Sequence, residues 1–199
     1  LIENTQRDLN IALMNEIMIL CHKTKIDFQK VITLARSKWN FLNFSPGLVG
    51  GHCLPVDPYY LSFFAKKNNF KTKVTLAGRD TNNLMEKFIY KKIYEKILKI
   101  KKKNHKKIVI AGLTYKPDVS DLRNSFAVEI FKKLKKKFSN IIAYDPHVKE
   151  KILKNVNVEK NFHKIKNAGI FIFLVKHSIF KNLYLFSKKN NKILIDPFA

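Results

Sequence analysis

Along the first hundred residues, apolar positions recur at helical spacing. Leu9, Leu13, Ile17 and Leu20 mark one amphipathic helix running from Leu1 to about Cys21. Phe28, Val31, Ile32 and Ala35 mark a second, which Asp27 is placed to cap. Between Ser37 and Tyr60 the rhythm stops. Pro46, Pro55 and Pro58 fall there together with Gly47, Gly50 and Gly51, three of the chain's six glycines, which predicts a loop. Helical spacing resumes at Tyr60 and becomes a long helix from about Val74 to Lys101, with Met85, Ile89, Ile93 and Ile97 on one stripe. That stripe calls for a partner surface, and the helix is expected to join two domains.

After His105 the pattern changes to short apolar runs separated by amphipathic stretches. Ile108–Leu113, Ile141–Tyr144, Ile170–Val175 and Ile193–Ile195 read as strands, and Phe126–Phe138 as a helix. The fold class is therefore α/β: a helical domain over residues 1–103, then a Rossmann-like parallel sheet over 104–199. Sheets of this kind bind ligands at the carboxyl ends of their strands. The turn after the first strand, Gly112 to Ser125, is thus the place to look. It holds one glycine, and no G-x-G-x-x-G occurs anywhere in the chain. A dinucleotide pyrophosphate needs close backbone approach at such a turn, so a smaller nucleotide held by side chains suits this domain better.

Composition narrows the classes further. A hydrophobic fraction of 46% with 16 Phe describes a folded protein, not a disordered polymer. The formal charge of +24 is diffuse and almost all lysine, with Arg only at 7, 36, 79 and 123. A nucleic-acid domain uses arginine for bidentate phosphate and base contacts, so such a partner is not expected. The Lys99 to Lys107 run reads as a solvated helix end. Two cysteines give no disulfide framework and no signal-like segment opens the chain, so a cytoplasmic location is expected. Ala168–Val175, the longest apolar stretch, is too short to cross a bilayer. The chain opens at Leu1, without Met, inside a helical pattern, which reads as a fragment.

The two cysteines differ in setting. Cys21 shares a helical stripe with Leu13 and Ile17 and is expected to be buried and inert. Cys53 stands in the Pro- and Gly-rich loop, where a thiol is accessible and glycines let backbone approach a ligand. Its neighbour His52 points to the opposite side of an extended chain and is a poor base for it. The six histidines show no ligand spacing with the cysteines, so no metal site is expected.

Three segments carry a family resemblance: Leu1-Ile2-Glu3-Asn4-Thr5-Gln6-Arg7-Asp8-Leu9-Asn10-Ile11-Ala12; Lys38-Trp39-Asn40-Phe41 running into Pro46-Gly47-Leu48-Val49-Gly50-Gly51-His52-Cys53-Leu54-Pro55-Val56-Asp57-Pro58; and Gly112 to Ser125 followed by Tyr144-Asp145-Pro146. Together they resemble the UDP-glucose/GDP-mannose dehydrogenase family, and most closely its branch acting on UDP-N-acetylhexosamines in bacterial surface polysaccharide synthesis. The resemblance implies oxidation of a sugar C6 alcohol to the acid by two NAD and one water. Cys53 matches the nucleophile, which captures the intermediate aldehyde as a thiohemiacetal and later carries a thioester; a thiolate both attacks carbonyls and leaves well. Asp57 matches a carboxylate that orders water, and Asn4 an amide that bonds the reacting oxygens.

By the same resemblance, Phe44, Ser45, Pro46, Gly47, Leu48, Val49 and Gly50 wrap the sugar nucleotide, Tyr115 and Lys116 contact it from the second domain, and Cys53 and Arg123 reach toward the NAD. UDP-N-acetylglucosamine is the first choice of substrate, ahead of its galactosamine and mannosamine counterparts. A homodimer is implied. The family's N-terminal NAD-binding Rossmann domain, with a catalytic lysine and glutamate, and a final segment with an arginine have no match in this chain. Turnover is then expected only with a separate NAD-domain polypeptide. A UDP-sugar-binding module without turnover and a basic nucleic-acid-associated protein are the other two readings.

Overall fold

The computed structural model describes residues 1–101, 107–149 and 156–198. The expected boundary at 103/104 and residues 102–106 of the lysine run lie outside them. Two compact units form, one of Leu1–Phe88 with Phe198 and the other of Ile89–Pro197.

The first unit contains α1 (Ile2–Thr24), α2 (Phe28–Arg36), α3 (Asp57–Lys67) and the start of α4 (Lys73–Lys101). Asp27 caps α2 as expected, its carboxylate accepting from the Gln29 and Lys30 amides. Helix α3 begins at Asp57, ahead of the expected Tyr60. The Cys53 carbonyl accepts from the amides of Val56 (3.0 Å) and Asp57 (2.8 Å), which winds the first turn early, and Pro58 needs no amide partner there.

Two readings of helical faces need correction. In α1 the apolar stripe is not the buried one: Leu13 and Leu20 are 54% and 58% exposed, while Thr5, Asp8, Ala12, Asn15, Met18 and Cys21 are buried. Polar pairing with α4 chooses that face. Asp8 and Arg79 form an ion pair with both side chains essentially inaccessible. Asn82 donates to the Asp8 carbonyl (3.0 Å) and to its Oδ1 (2.7 Å). Asn15 donates to Asn82 Oδ1 (2.8 Å). Arg79 Nη2 donates to Asn83 (2.9 Å), whose amide reaches the Tyr59 hydroxyl on α3 (3.3 Å). Burial pushes the Asp8 carboxyl above its usual range, against the pull of the Arg79 guanidinium and the Asn82 amide. In α4, Met85, Ile89, Ile93 and Ile97 do form a stripe, but all four are fully buried within one chain and leave no demand for a second copy. The large apolar residues that α4 exposes are Val74, Leu84 and Leu98.

The second unit is a five-stranded parallel sheet. Its strands are β1 (Ile108–Ala111), β2 (Ile141–Tyr144), β3 (Val158–Glu159), β4 (Ile170–Phe173) and β5 (Ile193–Ile195), in the order β3-β2-β1-β4-β5. Ile108 pairs with Ile141 on one side and Ile170 on the other, so β1 is central. Both β1 and β4 are buried along their whole length, as strands covered on both faces must be. Helix α5 (Phe126–Lys137) follows β1, turning Val128, Ile130, Phe131 and Leu134 inward. Helix α6 (Phe180–Lys189) follows β4; its Phe180 and Leu183 join Val109, Ala111, Phe171 and Phe173 in one core cluster. Neither β3 nor α6 was expected from the pattern: β3 has two residues, and the helical spacing of Phe180, Leu183 and Ser187 is short.

The order reverses between β1 and β4, which makes their carboxyl ends the switch point of the sheet. There Gly112 turns the chain at φ 85°, and a Cβ on it would lie 2.2 Å from the Val175 carbonyl oxygen. The glycine is a packing requirement at that spot.

Two stability predictions follow from these contacts. Removing one partner of the buried pair, Asp8→Leu or Arg79→Met, leaves an uncompensated charge and is expected to cost about 3–5 kcal/mol. The double variant should cost clearly less than the sum in a denaturant double-mutant cycle; additive losses would show that the two charges are not coupled. Gly112→Ala is expected to lower stability by about 2–4 kcal/mol through clash and a strained backbone. Gly47→Ala, where a Cβ meets nothing within 4 Å, should stay near neutral in the same thermal or denaturant melts.

Candidate functional site

Residues expected to do chemistry converge in the first unit. Asn4 Nδ2 donates to Asp57 Oδ2 at 2.7 Å, across 53 positions of sequence. The amide of Asp57 is bonded to the Cys53 carbonyl, so the turn from Cys53 into α3 ties all three residues together. The Cys53 side chain is exposed and Cys21 is buried, as expected. Gly51, at φ 90°, reverses the chain two residues before Cys53. His52 is exposed. The nitrogen of Leu1 lies 3.8 Å from Asp57 Oδ2.

The start of α3 has no spare amides for a ligand. Those of Val56 and Asp57 go to the Cys53 carbonyl, Pro58 has none, and those of Tyr59 and Tyr60 go to the Val56 carbonyl. Donors to a ligand from this first turn must therefore be side chains. Asn4 is suited to this, because one of its two amide hydrogens is committed to Asp57 and the amide is thereby oriented.

The loop expected to wrap a substrate is anchored from behind. Asn15 donates to the Gly47 carbonyl (3.0 Å) and accepts from the Gly47 amide (2.8 Å), a two-point clamp from the buried α1–α4 ladder. Val49 and Gly50 are buried beyond the clamp, while Phe44, Pro46, Gly47 and Leu48 are half-buried and Ser45 is exposed. Asn15 and Asn82 escaped the sequence reading. Their signal was present as polar residues at helical spacing: Asp8 and Asn15 on α1, and Arg79, Asn82 and Glu86 on α4.

The second unit gathers its polar groups at the carboxyl ends of β1, β2 and β4. Asp145 is fully buried and accepts from the Leu113 amide (2.8 Å) and from the His147 amide (3.0 Å). His177 Nε2 lies 3.0 Å from Asp145 Oδ2, and the Asp118 amide donates to His177 Nδ1 at 2.9 Å. An accepting Nδ1 carries no hydrogen, so the ring is neutral with its hydrogen on Nε2, donated to Asp145. Burial works to raise the Asp145 carboxyl, yet the bonds from His177, Leu113 and His147 outweigh it and hold it below the ordinary range. Tyr115 is half-buried and Lys116 exposed, with Lys116 Nζ 5.6 Å from the Tyr115 ring centroid. Arg123 forks onto Asp121 through Nε (3.0 Å) and Nη2 (2.6 Å).

Two kinds of occupant can be tested against these groups. The implied NAD does not fit the turn after β1. Its only glycine is spent on Val175, and the amides of Leu113 and Thr114, which would face a pyrophosphate, both point to Asp145. For a cation, Asp118, His147 and His177 place one ligand atom each within 4.8 Å of one another, a grouping that sequence spacing did not reveal. The lone pair of His177 Nδ1 is already committed to the Asp118 amide, and His147 Nε2 lies 3.7 Å from Asp118 Oδ1 without a hydrogen bond. Among the described residues no helix is long and apolar enough to cross a membrane.

Comparison with known proteins places this geometry. The model of the UDP-glucose/GDP-mannose dehydrogenase central domain matches residues 1–84, and that of the family's UDP-binding domain matches 109–199. A UDP-N-acetyl-D-glucosamine 6-dehydrogenase of Pseudomonas aeruginosa is 38% identical over 195 residues, 92% of this chain and 44% of its own. A UDP-N-acetyl-D-mannosamine dehydrogenase of Campylobacter jejuni is 35% identical over 187 residues, 90% of this chain and 44% of its own. The solved UDP-N-acetyl-mannosamine dehydrogenase Cap5O of Staphylococcus aureus superposes with a TM-score of 0.75 at 36% identity, over 98% of this chain and 44% of that one. The chain thus spans less than half the length of these relatives. With both of its units matched by consecutive domains of one family, the chain belongs to the UDP-glucose/GDP-mannose dehydrogenase family.

Proposed function

We propose that this chain supplies the nucleophile and the sugar-nucleotide grip of an NAD-dependent UDP-N-acetylhexosamine 6-dehydrogenase serving polysaccharide synthesis. The observation that carries the reading is the junction of Asn4, Asp57 and the Cys53 turn, from two distant segments, at an exposed thiol. Relatives named for UDP-N-acetylglucosamine and UDP-N-acetylmannosamine oxidation support the substrate class.

In this reading the Cys53 thiolate adds to the C6 aldehyde carbon. A C–S bond forms, the carbonyl π pair moves to oxygen, and that oxygen takes a proton to give the thiohemiacetal. The Asn4 amide, oriented by Asp57, donates to that oxygen as charge grows on it. At the thioester stage water adds to the same carbon. Asp57 orients the water, the C–S bond breaks, and Cys53 leaves as thiolate with the acid released. Oxidation itself belongs to the nicotinamide, toward which Cys53 and Arg123 reach in this reading. Tyr115 and Lys116 serve the nucleotide, and the loop from Phe44 to Gly50 serves the sugar. The implied homodimer remains part of the proposal, now resting on the apolar residues exposed along α4 instead of its buried stripe.

The test is a coupled assay. The chain is mixed with a separately expressed NAD-binding domain and UDP-N-acetylglucosamine, and NADH and uronic acid are followed. Cys53→Ser is expected to abolish acid formation, and Cys21→Ser to leave it within about twofold. Equal loss from both substitutions would contradict the assignment of Cys53. Calorimetric binding of UDP with no turnover in the complete mixture would favour a binding module.

A further inference from the structure

The loop that carries Tyr115 and Lys116 is held by one histidine that the reading above does not use. Thr114 closes the loop at its near end, donating from Oγ1 to the Lys116 carbonyl at 2.9 Å. Asp118 closes it at the far end in two ways. Its amide donates to His177 Nδ1 (2.9 Å), and its Oδ1 accepts from the Ser178 amide (2.8 Å) and hydroxyl (3.0 Å). Asp118 adopts φ 59°, a left-handed conformation that local bonding must maintain in a non-glycine residue.

His177 is itself fixed. It is 2% exposed, its ring packs edge-on against Phe180 at 5.0 Å, and its Nε2 hydrogen goes to Asp145, which also receives the Leu113 amide at the start of the same loop. Both ends of the Leu113–Asp118 segment therefore trace back to the Asp145–His177 pair. Between them Tyr115 and Lys116 project a ring and a cation from the sheet's switch point, the chemistry that suits the base or sugar and the phosphates of a nucleoside diphosphate.

We propose that His177 is a positioning residue for nucleotide binding. In its neutral form with the hydrogen on Nε2, it couples Asp145 to the Asp118 amide and so holds Tyr115 and Lys116 in the conformation that binds UDP. This rests on the assignment of Tyr115 and Lys116 as nucleotide contacts. It extends that assignment to a buried residue outside the loop.

The two ring nitrogens can be tested apart. An asparagine side chain places its oxygen near the position of Nδ1 and keeps an acceptor for the Asp118 amide. A glutamine places its amide near Nε2 and keeps only the donor to Asp145. UDP affinity of the full chain is measured by calorimetry, with thermal melts as the folding control. His177→Gln is expected to weaken UDP binding at least tenfold, and His177→Asn to stay within about threefold. Tyr115→Ala and Lys116→Ala should each weaken binding as well. If Lys116→Ala and Tyr115→Ala weaken binding while His177→Gln binds like the parent, the latch is overturned and the nucleotide site stands. If neither Tyr115→Ala nor Lys116→Ala changes affinity, the site assignment fails, and the latch with it. Should His177→Gln not fold, ¹⁵N shifts of the parent's imidazole decide. A hydrogen on Nε2 supports the latch, and a hydrogen on Nδ1 overturns it.

Discussion

The first unit is organised around a charge pair that water cannot reach. Asp8 and Arg79 meet at the interface of α1 and α4, and the desolvation of two ions is offset only if surrounding groups complete their bonding. Asn82 supplies two bonds to Asp8, Asn15 bonds Asn82, and the chain of amides ends on the backbone of Gly47, while Asp8 Oδ2 and Arg79 Nε stay buried without a hydrogen-bond partner. A hydrophobic contact could slide by a turn at modest cost, but this ladder has a single register. It therefore fixes both how α1 lies on α4 and where the loop leading to Cys53 departs. The exposed thiol at the far end inherits its position from a buried guanidinium.

The second unit solves a similar problem at the ends of its strands. Parallel strands leave amides unpaired where they emerge, and here a buried carboxylate accepts from them. Asp145 takes the amides of Leu113 and His147 and the imidazole of His177, bonds that outweigh its burial and hold its carboxyl below the usual range. The turn after β1, which in dinucleotide-binding domains faces a pyrophosphate, is turned inward onto that carboxylate. What remains outward are side chains, chiefly Tyr115 and Lys116. The turn after β1 thus offers no glycine-lined cradle of free amides for a pyrophosphate.

Much of this was legible in the amino-acid sequence. The alternation of short apolar runs after residue 107 named four of the strands, because fully buried parallel strands carry unbroken Ile, Val and Phe. The Pro- and Gly-rich loop announced Cys53 and its exposure; Cys21 is buried, but with Asn15 and Met18 and not on the Leu13 stripe from which its burial is expected. The buried face of α1 was misread, since periodicity counts hydrophobicity and the helix instead buries Asp8 and Asn15 to meet Arg79 and Asn82. A polar pair is visible as such only once both helices are side by side. His177 was passed over for the same reason: nothing local distinguishes it, and its role depends on Asp118 and Asp145, far off in sequence.

In the proposed reading the ladder and the turn into α3 present Cys53 to a sugar nucleotide. Alkylation of the two cysteines, followed by peptide mass spectrometry with and without UDP-N-acetylglucosamine, tests it most directly. Cys53 should react readily in the folded chain and slow at least severalfold as the sugar nucleotide saturates, while Cys21 reacts only on unfolding. Labelling of Cys53 at an unchanged rate in the presence of saturating sugar nucleotide would contradict the account.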